Sequence, residues 1–139
     1  MRYRDRFIAE MFLREGATAI YIEKPIIAYV RVSEVCCFDD HMQARITAIP
    51  TPGMIQGSLS SCTISAAWDN LSHIDGTWHV PFVSWTAYFG AEEIQIGLQL
   101  AAQAAERGTV VTLREMRTAL EKCQSDRWER LRALRHPSS

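Results

Sequence analysis

WDNLSHIDGTWHVPFVSW, residues 68–85, holds three of the four tryptophans in the chain and two of the four histidines. At its centre Asp75-Gly76 is the pair that a two-residue type I′ turn demands, because both turn positions need positive φ. With the turn there, antiparallel pairing sets Ile74 opposite Thr77, His73 opposite Trp78, Leu71 opposite Val80, Trp68 opposite Val83, Ala66 opposite Trp85 and Ile64 opposite Ala87. The outer part of this ladder is apolar on one face, as a half-buried sheet requires. Nearer the turn the parity reverses in both strands beside Pro81, which predicts a bend or bulge that curls the sheet.

Upstream the grammar is also that of strands. TAIYIEKP (18–25) and IIAYVRVSEVCCF (26–38) are rich in β-branched residues, and Asp39-Asp40 supplies a turn. HMQARITAI alternates Met42, Ala44, Ile46 and Ala48 against Gln43, Arg45 and Thr47, and SSCTISAAW matches it with Cys62, Ile64, Ala66 and Trp68. PTPGMIQGS, with two prolines and two glycines, reads as a mobile loop between them.

The ends of the chain are helical in period. Phe7, Ile8, Met11 and Phe12 mark one face of an opening helix that stops at Gly16. A second helix begins with Glu92 and Glu93, whose charges suit its dipole, and ends at Arg107-Gly108. Thr112 and Glu115 form a capping box for a third, with Val111 and Met116 as its hydrophobic staple. Its apolar face runs Leu113, Met116, Leu120, Cys123, then slips at QSD to Trp128 and Leu131, which predicts a bend or a new cap at Ser125. The expected architecture is α+β: a curled antiparallel meander, a half-barrel of about four to five strands, with one N-terminal and two C-terminal helices. One domain spans residues 1–136, with 137–139 as a frayed tail.

Composition narrows function mainly by exclusion. The chain of 139 residues is 47% hydrophobic and 22% charged, as in ordinary globular proteins. It contains neither an apolar run of bilayer length nor a signal-peptide pattern, so the cytoplasm is the expected compartment. Cys36, Cys37, Cys62 and Cys123 lack zinc-type spacing and are expected as reduced, partly buried thiols. A net charge of -1 divides into +1 over residues 1–15, -5 over 16–109 and +3 over 110–139. This surplus is too small to imply nucleic-acid binding by itself.

Constellations that carry chemistry are thin. His73 and His79 fall on opposite sides of the hairpin and cannot chelate one ion, and Asp39-Asp40-His41 fits turn chemistry better than a metal site. No nucleophile elbow, phosphate loop or paired acid-base carboxylate stands out, so neither a catalytic residue nor a metal or cofactor is assigned. The expectation is a non-catalytic binding module for a small apolar or cationic organic ligand, on a concave sheet face walled by Trp68, Trp85, Tyr29, Tyr88 and Phe89, with Asp69 at the rim. One alternative is a regulatory, protein-binding or nucleic-acid-binding role for the helix bearing Arg114, Arg117, Lys122, Arg127, Trp128 and Arg130. Another is a small enzyme using His73 or His79 with Asp69 or Asp75. Trp128, Leu131 and Leu134 are left over as a homodimer contact; nucleic acid and membrane are not expected partners.

Overall fold

A computed structural model describes residues 14–57, 59–67, 72–74, 77–81 and 86–135. The elements run β1 (Thr18–Glu23), β2 (Ile26–Cys37), β3 (His41–Ile49), β4 (Ser61–Ala67), β5 (Ser72–Ile74), β6 (Thr77–Pro81), β7 (Thr86–Tyr88), α1 (Ala91–Glu106) and α2 (Leu113–Arg135). All pairings are antiparallel, and the strands form one sheet in the order β4-β3-β2-β1-β7-β6-β5. The α+β class is as expected, but seven strands replace four or five. Two helices are present among the described residues; the third, expected near the N-terminus, falls largely on residues 1–13, outside them.

Hairpin register is correct only beside its turn, where Ile74 pairs with Thr77 and His73 with Trp78. Ala66 lies opposite Met42, not Trp85, and Ala87 pairs with Tyr21 and with Val80 rather than with Ile64. β4 and β7 are separated by three strands. Their matching parity has another cause: Ile64 and Ala87 are both buried in the same apolar cluster, so they share a core without being neighbours in the sheet. The expected bend falls on residues 68–71 and 82–85, which lie outside the described residues.

The sheet is open, because β4 and β5 end it without pairing to each other. It is also curved. Six interstrand steps would set its edges about 29 Å apart if flat. Only five peptide units join Ala67 to Ser72, and these span about 18 Å at most. A cross-sheet contact agrees: Cys62 of β4 packs against the buried cluster that contains Tyr21 of β1, and each shifts the titration of the other, although β2 and β3 lie between them.

The two faces of the sheet carry different cores. Ala19, Tyr21, Ala28, Val30, Val32, Met42, Ala44, Ile46, Ile64 and Ala87 line the inner face and are buried. Ile20, Ile22, Ile27 and Tyr88 point the other way, against Ala101 and Ala104 of α1 and Met116 and Leu120 of α2. This accounts for the unbroken apolar character of β1: its residues 19–22 are buried on both faces. Where β3 and β4 run beyond the helices, Arg45, Thr47, Ser61, Thr63 and Ser65 are exposed.

The loop after β3 is tied down, contrary to its composition. Met54 is buried in the helix-side cluster, Ile27 donates its N–H to Ile55, and Val111 donates to the Gly53 carbonyl. Gly53 has φ +90° and lies so close to α1 that a Cβ there would come within 2.0 Å of the Ala101 carbonyl oxygen. It is therefore a packed connector, not a mobile loop. The capping box is formed, with the Glu115 N–H donating to Thr112 Oγ1 at 3.1 Å and the Thr112 N–H to Glu115 Oε1 at 3.4 Å. Beyond it α2 is one continuous helix through Ser125, with no second cap.

Candidate binding site

The expected aromatic wall is divided between the two faces. Ile20 pairs with both Tyr29 and Tyr88, and this row faces the helices, with Tyr88 buried and Tyr29 half-buried. Phe89 packs against the inner-face cluster instead. Trp68, Asp69, Asp75 and Trp85 lie outside the described residues. His73 and His79 stand at backbone positions of opposite parity, since His79 pairs with Ser72. His41 is held by its turn, 2.7 Å from Asp40 through Nδ1 and stacked on Phe38 at 4.6 Å. Among the described residues no group of histidines, cysteines and carboxylates could hold a metal ion.

Within the described inner face the polar groups form one cluster. Alternation along β1 puts Tyr21 and Glu23 on the same side, and the curvature of the sheet brings Cys62 to them. The Tyr21 hydroxyl donates to Glu23 Oε2. Tyr21 is only 1% exposed, whereas Glu23 and Cys62 are half-buried beside the exposed Lys24-Pro25 turn. The cluster thus runs from the sealed interior to the surface. Burial holds the Tyr21 phenol protonated well above its ordinary range, and the hydrogen bond to the Glu23 carboxylate adds to this. Burial also pushes the Cys62 thiol up; the Tyr21 hydrogen bond partly opposes that shift and the Glu23 charge reinforces it. At neutral pH the trio consists of a carboxylate acceptor, a phenol that orients it and an unactivated thiol.

A second polar network joins the two helices. Glu93 is fully buried, and its Oε1 lies 2.7 Å from Arg127 Nη1, itself only 4% exposed. The Cys123 thiol donates to the same oxygen at 3.2 Å. Glu92 takes Arg127 at 3.2 Å and Arg130 at 3.1 Å. The Arg130 hydrogen bond holds the Glu92 carboxyl below its usual range. The Cys123 thiol is pushed up to about 12, chiefly by burial and by its hydrogen bond to Glu93. These groups satisfy one another and present no reactive thiolate, so they clamp the helices.

Outside the clamp, a shallow groove of about 640 Å³ runs past Arg14, Glu15, Thr18, Phe89, Ala91 and Ile94. It continues along Leu98 and Ala102 as a second space of about 480 Å³. The second space is mainly apolar, whereas the first is bordered by Arg14, Glu15 and Thr18.

The basic helix surface is smaller than its sequence suggests. Arg127 is consumed by the clamp, Lys122 pairs with Asp126 at 2.9 Å, and Arg132 approaches Glu129 at 3.9 Å. Cys36 and Cys37 are exposed thiols rather than partly buried ones. No described helix is long and apolar enough to cross a membrane. Tyr21 and Glu23 were missed in the sequence, although their spacing of two on a strand signals a shared face; the part played by Cys62 depends on curvature that no local pattern encodes. The chain matches no protein-family model, and comparison with curated proteins and with solved structures finds no match.

Proposed function

We propose that this protein is a non-catalytic binding module for a small apolar or cationic organic molecule, held on the inner face of the sheet. The curved sheet acts as a half-barrel, and the half-buried Glu23 and Cys62 beside the buried Tyr21 mark where its inner face reaches the surface. The observation that carries this is the contrast within one wall: apolar residues cover the inner face, and one hydrogen-bonded polar cluster reaches from it to the surface. A largely apolar concavity with a few convergent polar groups is the usual form of a small-molecule site.

Two other roles fit less well. Of the α2 cations, Lys122, Arg127 and Arg130 are paired with carboxylates, and the exposed Arg114 and Arg117 that remain are a small charge for a phosphate backbone. Catalysis at the trio would need a group that changes protonation near neutral pH, and both Tyr21 and Cys62 are displaced upward.

The test is to titrate hydrophobic cations and their neutral isosteres while following tryptophan fluorescence and the melting temperature. Saturable quenching with a concentration-dependent rise in Tm is expected for at least one ligand class. If neither class perturbs the folded protein, the binding role is refuted.

A further inference from the structure

We propose that Glu23 is the recognition group for an organic ammonium ion, its carboxylate receiving the cation while Tyr21 fixes its orientation and Cys62 borders the seat. This rests on the inner face being the ligand surface, and it names the charge of the ligand.

Three observations converge on it. Glu23 is a half-buried carboxylate with no ion pair to any described residue; Lys24, next in the chain, is exposed and forms none with it. The other carboxylate at a buried polar cluster, Glu93, meets its cation at 2.7 Å within the chain. Removing a carboxylate from water without a cation is costly, so a partly desolvated one is an attractive seat for an incoming cation. In addition, the Tyr21 hydroxyl is committed to Glu23 Oε2, which restricts the rotation of the carboxylate and leaves its other oxygen for a second donor. Finally, the neighbouring half-buried groups at this end, Ile26, Leu59 and Cys62, are apolar or weakly polar and suit the hydrocarbon part of an amine. An anionic ligand would meet the Glu23 charge with no described cation paired beside it.

Cys62 makes the site testable without knowing the natural ligand. Methanethiosulfonates of equal size can be made with a cationic aminoethyl, a neutral propyl or an anionic sulfonatoethyl arm. In each, the Cys62 thiolate attacks the sulfur that bears the arm. A new S–S bond forms, methanesulfinate leaves with the electron pair of the broken bond, and buffer takes the thiol proton. A Cys36→Ser/Cys37→Ser background removes the two exposed thiols, and peptide mass mapping separates Cys62 from the buried Cys123. The cationic reagent should label Cys62 about tenfold or more faster than the anionic one, and Glu23→Gln should bring the ratio close to one. Hexylammonium should slow labelling by the neutral reagent, while 1-hexanol should not.

Equal rates for the two charged reagents, or a ratio unchanged in Glu23→Gln, would overturn the proposal. Protection by hexanol as strong as by hexylammonium would keep the inner face as a ligand surface and remove the ammonium preference. If all three reagents fail to label the folded chain but label it in urea, the trio is a closed strut, and both the ammonium seat and the ligand surface beneath it fall. The charge ratio and the competition are measured on a chain that keeps Glu23, so neither depends on how the Glu23→Gln variant folds.

Discussion

Arg127→Met is the substitution whose effect the structure predicts most sharply. Arg127 is 4% exposed, and its Nη1 sits 2.7 Å from the Oε1 of a carboxylate with no exposure at all. Methionine keeps much of the buried hydrocarbon but removes the cation beside Glu93, which keeps the Cys123 thiol at 3.2 Å. Breaking one half of a buried ion pair costs about 3–5 kcal/mol, whereas an exposed pair is worth about 0–1 kcal/mol. Urea unfolding at pH 7 should therefore show a loss near 3 kcal/mol or more, with an unchanged m-value. Adding Glu93→Leu removes the remaining charge and should recover most of that loss, because an apolar replacement of both partners is often neutral. A single-variant loss below about 1 kcal/mol, or a double variant less stable than Arg127→Met, would refute the buried clamp. The same network explains the phase slip in α2: Leu113, Met116, Leu120 and Cys123 are followed on that face by Arg127, a core position occupied by a charge.

Further outcomes follow from the packing and from the titrating groups. Gly53→Ala should lower stability by well over 2 kcal/mol, because it adds a clash at 2.0 Å to a φ of +90°. Gly16→Ala, at φ +89° with nothing within 4 Å, should cost only the backbone strain of about 1–2 kcal/mol; equal losses in thermal melts would show that α1 does not press on the loop. In alkali, Tyr21, Cys62, Tyr88 and Cys123 all have folded pKa values raised above their unfolded ones. Their contribution is complete below the unfolded values and is lost as pH rises through them, so urea midpoints should fall from about pH 9 upward and fall less steeply in Cys123→Ala. Self-association is proposed through Trp128, 42% exposed and flanked by Arg132 at 5.8 Å, and Leu134, 77% exposed. Leu131→Glu/Leu134→Glu should then give a smaller, folded species by light scattering, and an unchanged mass would return the stripe to solvent.

What was legible in the sequence was local. Alternation in residues 41–49 and 61–67 predicts two partnered strands and the residues that share a face, and the strands do pair, with Met42 opposite Ala66 and Ile46 opposite Cys62. The pairs expected to flank Asp75-Gly76, Ile74 with Thr77 and His73 with Trp78, are observed, and Thr112 with Glu115 places the start of α2. Each depends on chemistry within a few residues or on a period of two or 3.6. The extended hairpin failed because parity reports which core a residue faces and not which strand lies beside it: Ile64 and Ala87 face the same core from strands that never touch in the sheet. Charge was misread for a related reason. Glu93 suits a helix dipole and Arg127 a solvated face, yet each is buried because the other arrives from a helix some thirty residues away.

The candidate site is non-local in the same sense, and this bears on what the trio does. Tyr21 and Glu23 are two residues apart, but Cys62 reaches them only because a short connection draws the two edges of a seven-stranded sheet together. A structural strut would be expected to close that gap with apolar contact, as Ile64 and Ala87 do elsewhere on the inner face. At this end it is closed instead by a hydrogen-bonded phenol, a carboxylate and a thiol, with the carboxylate half-exposed and free of an ion pair. Polar groups that converge by curvature cost desolvation without adding to the core, and a bound cation would offset that cost. The two possibilities separate in Tyr21→Phe, which keeps the ring and removes the hydroxyl. A strut loses a hydrogen bond and about 1 kcal/mol of stability, with Cys62 still unlabelled in the folded chain. A recognition site keeps its charge preference but loses the fixed carboxylate, so ammonium protection should weaken more than stability does.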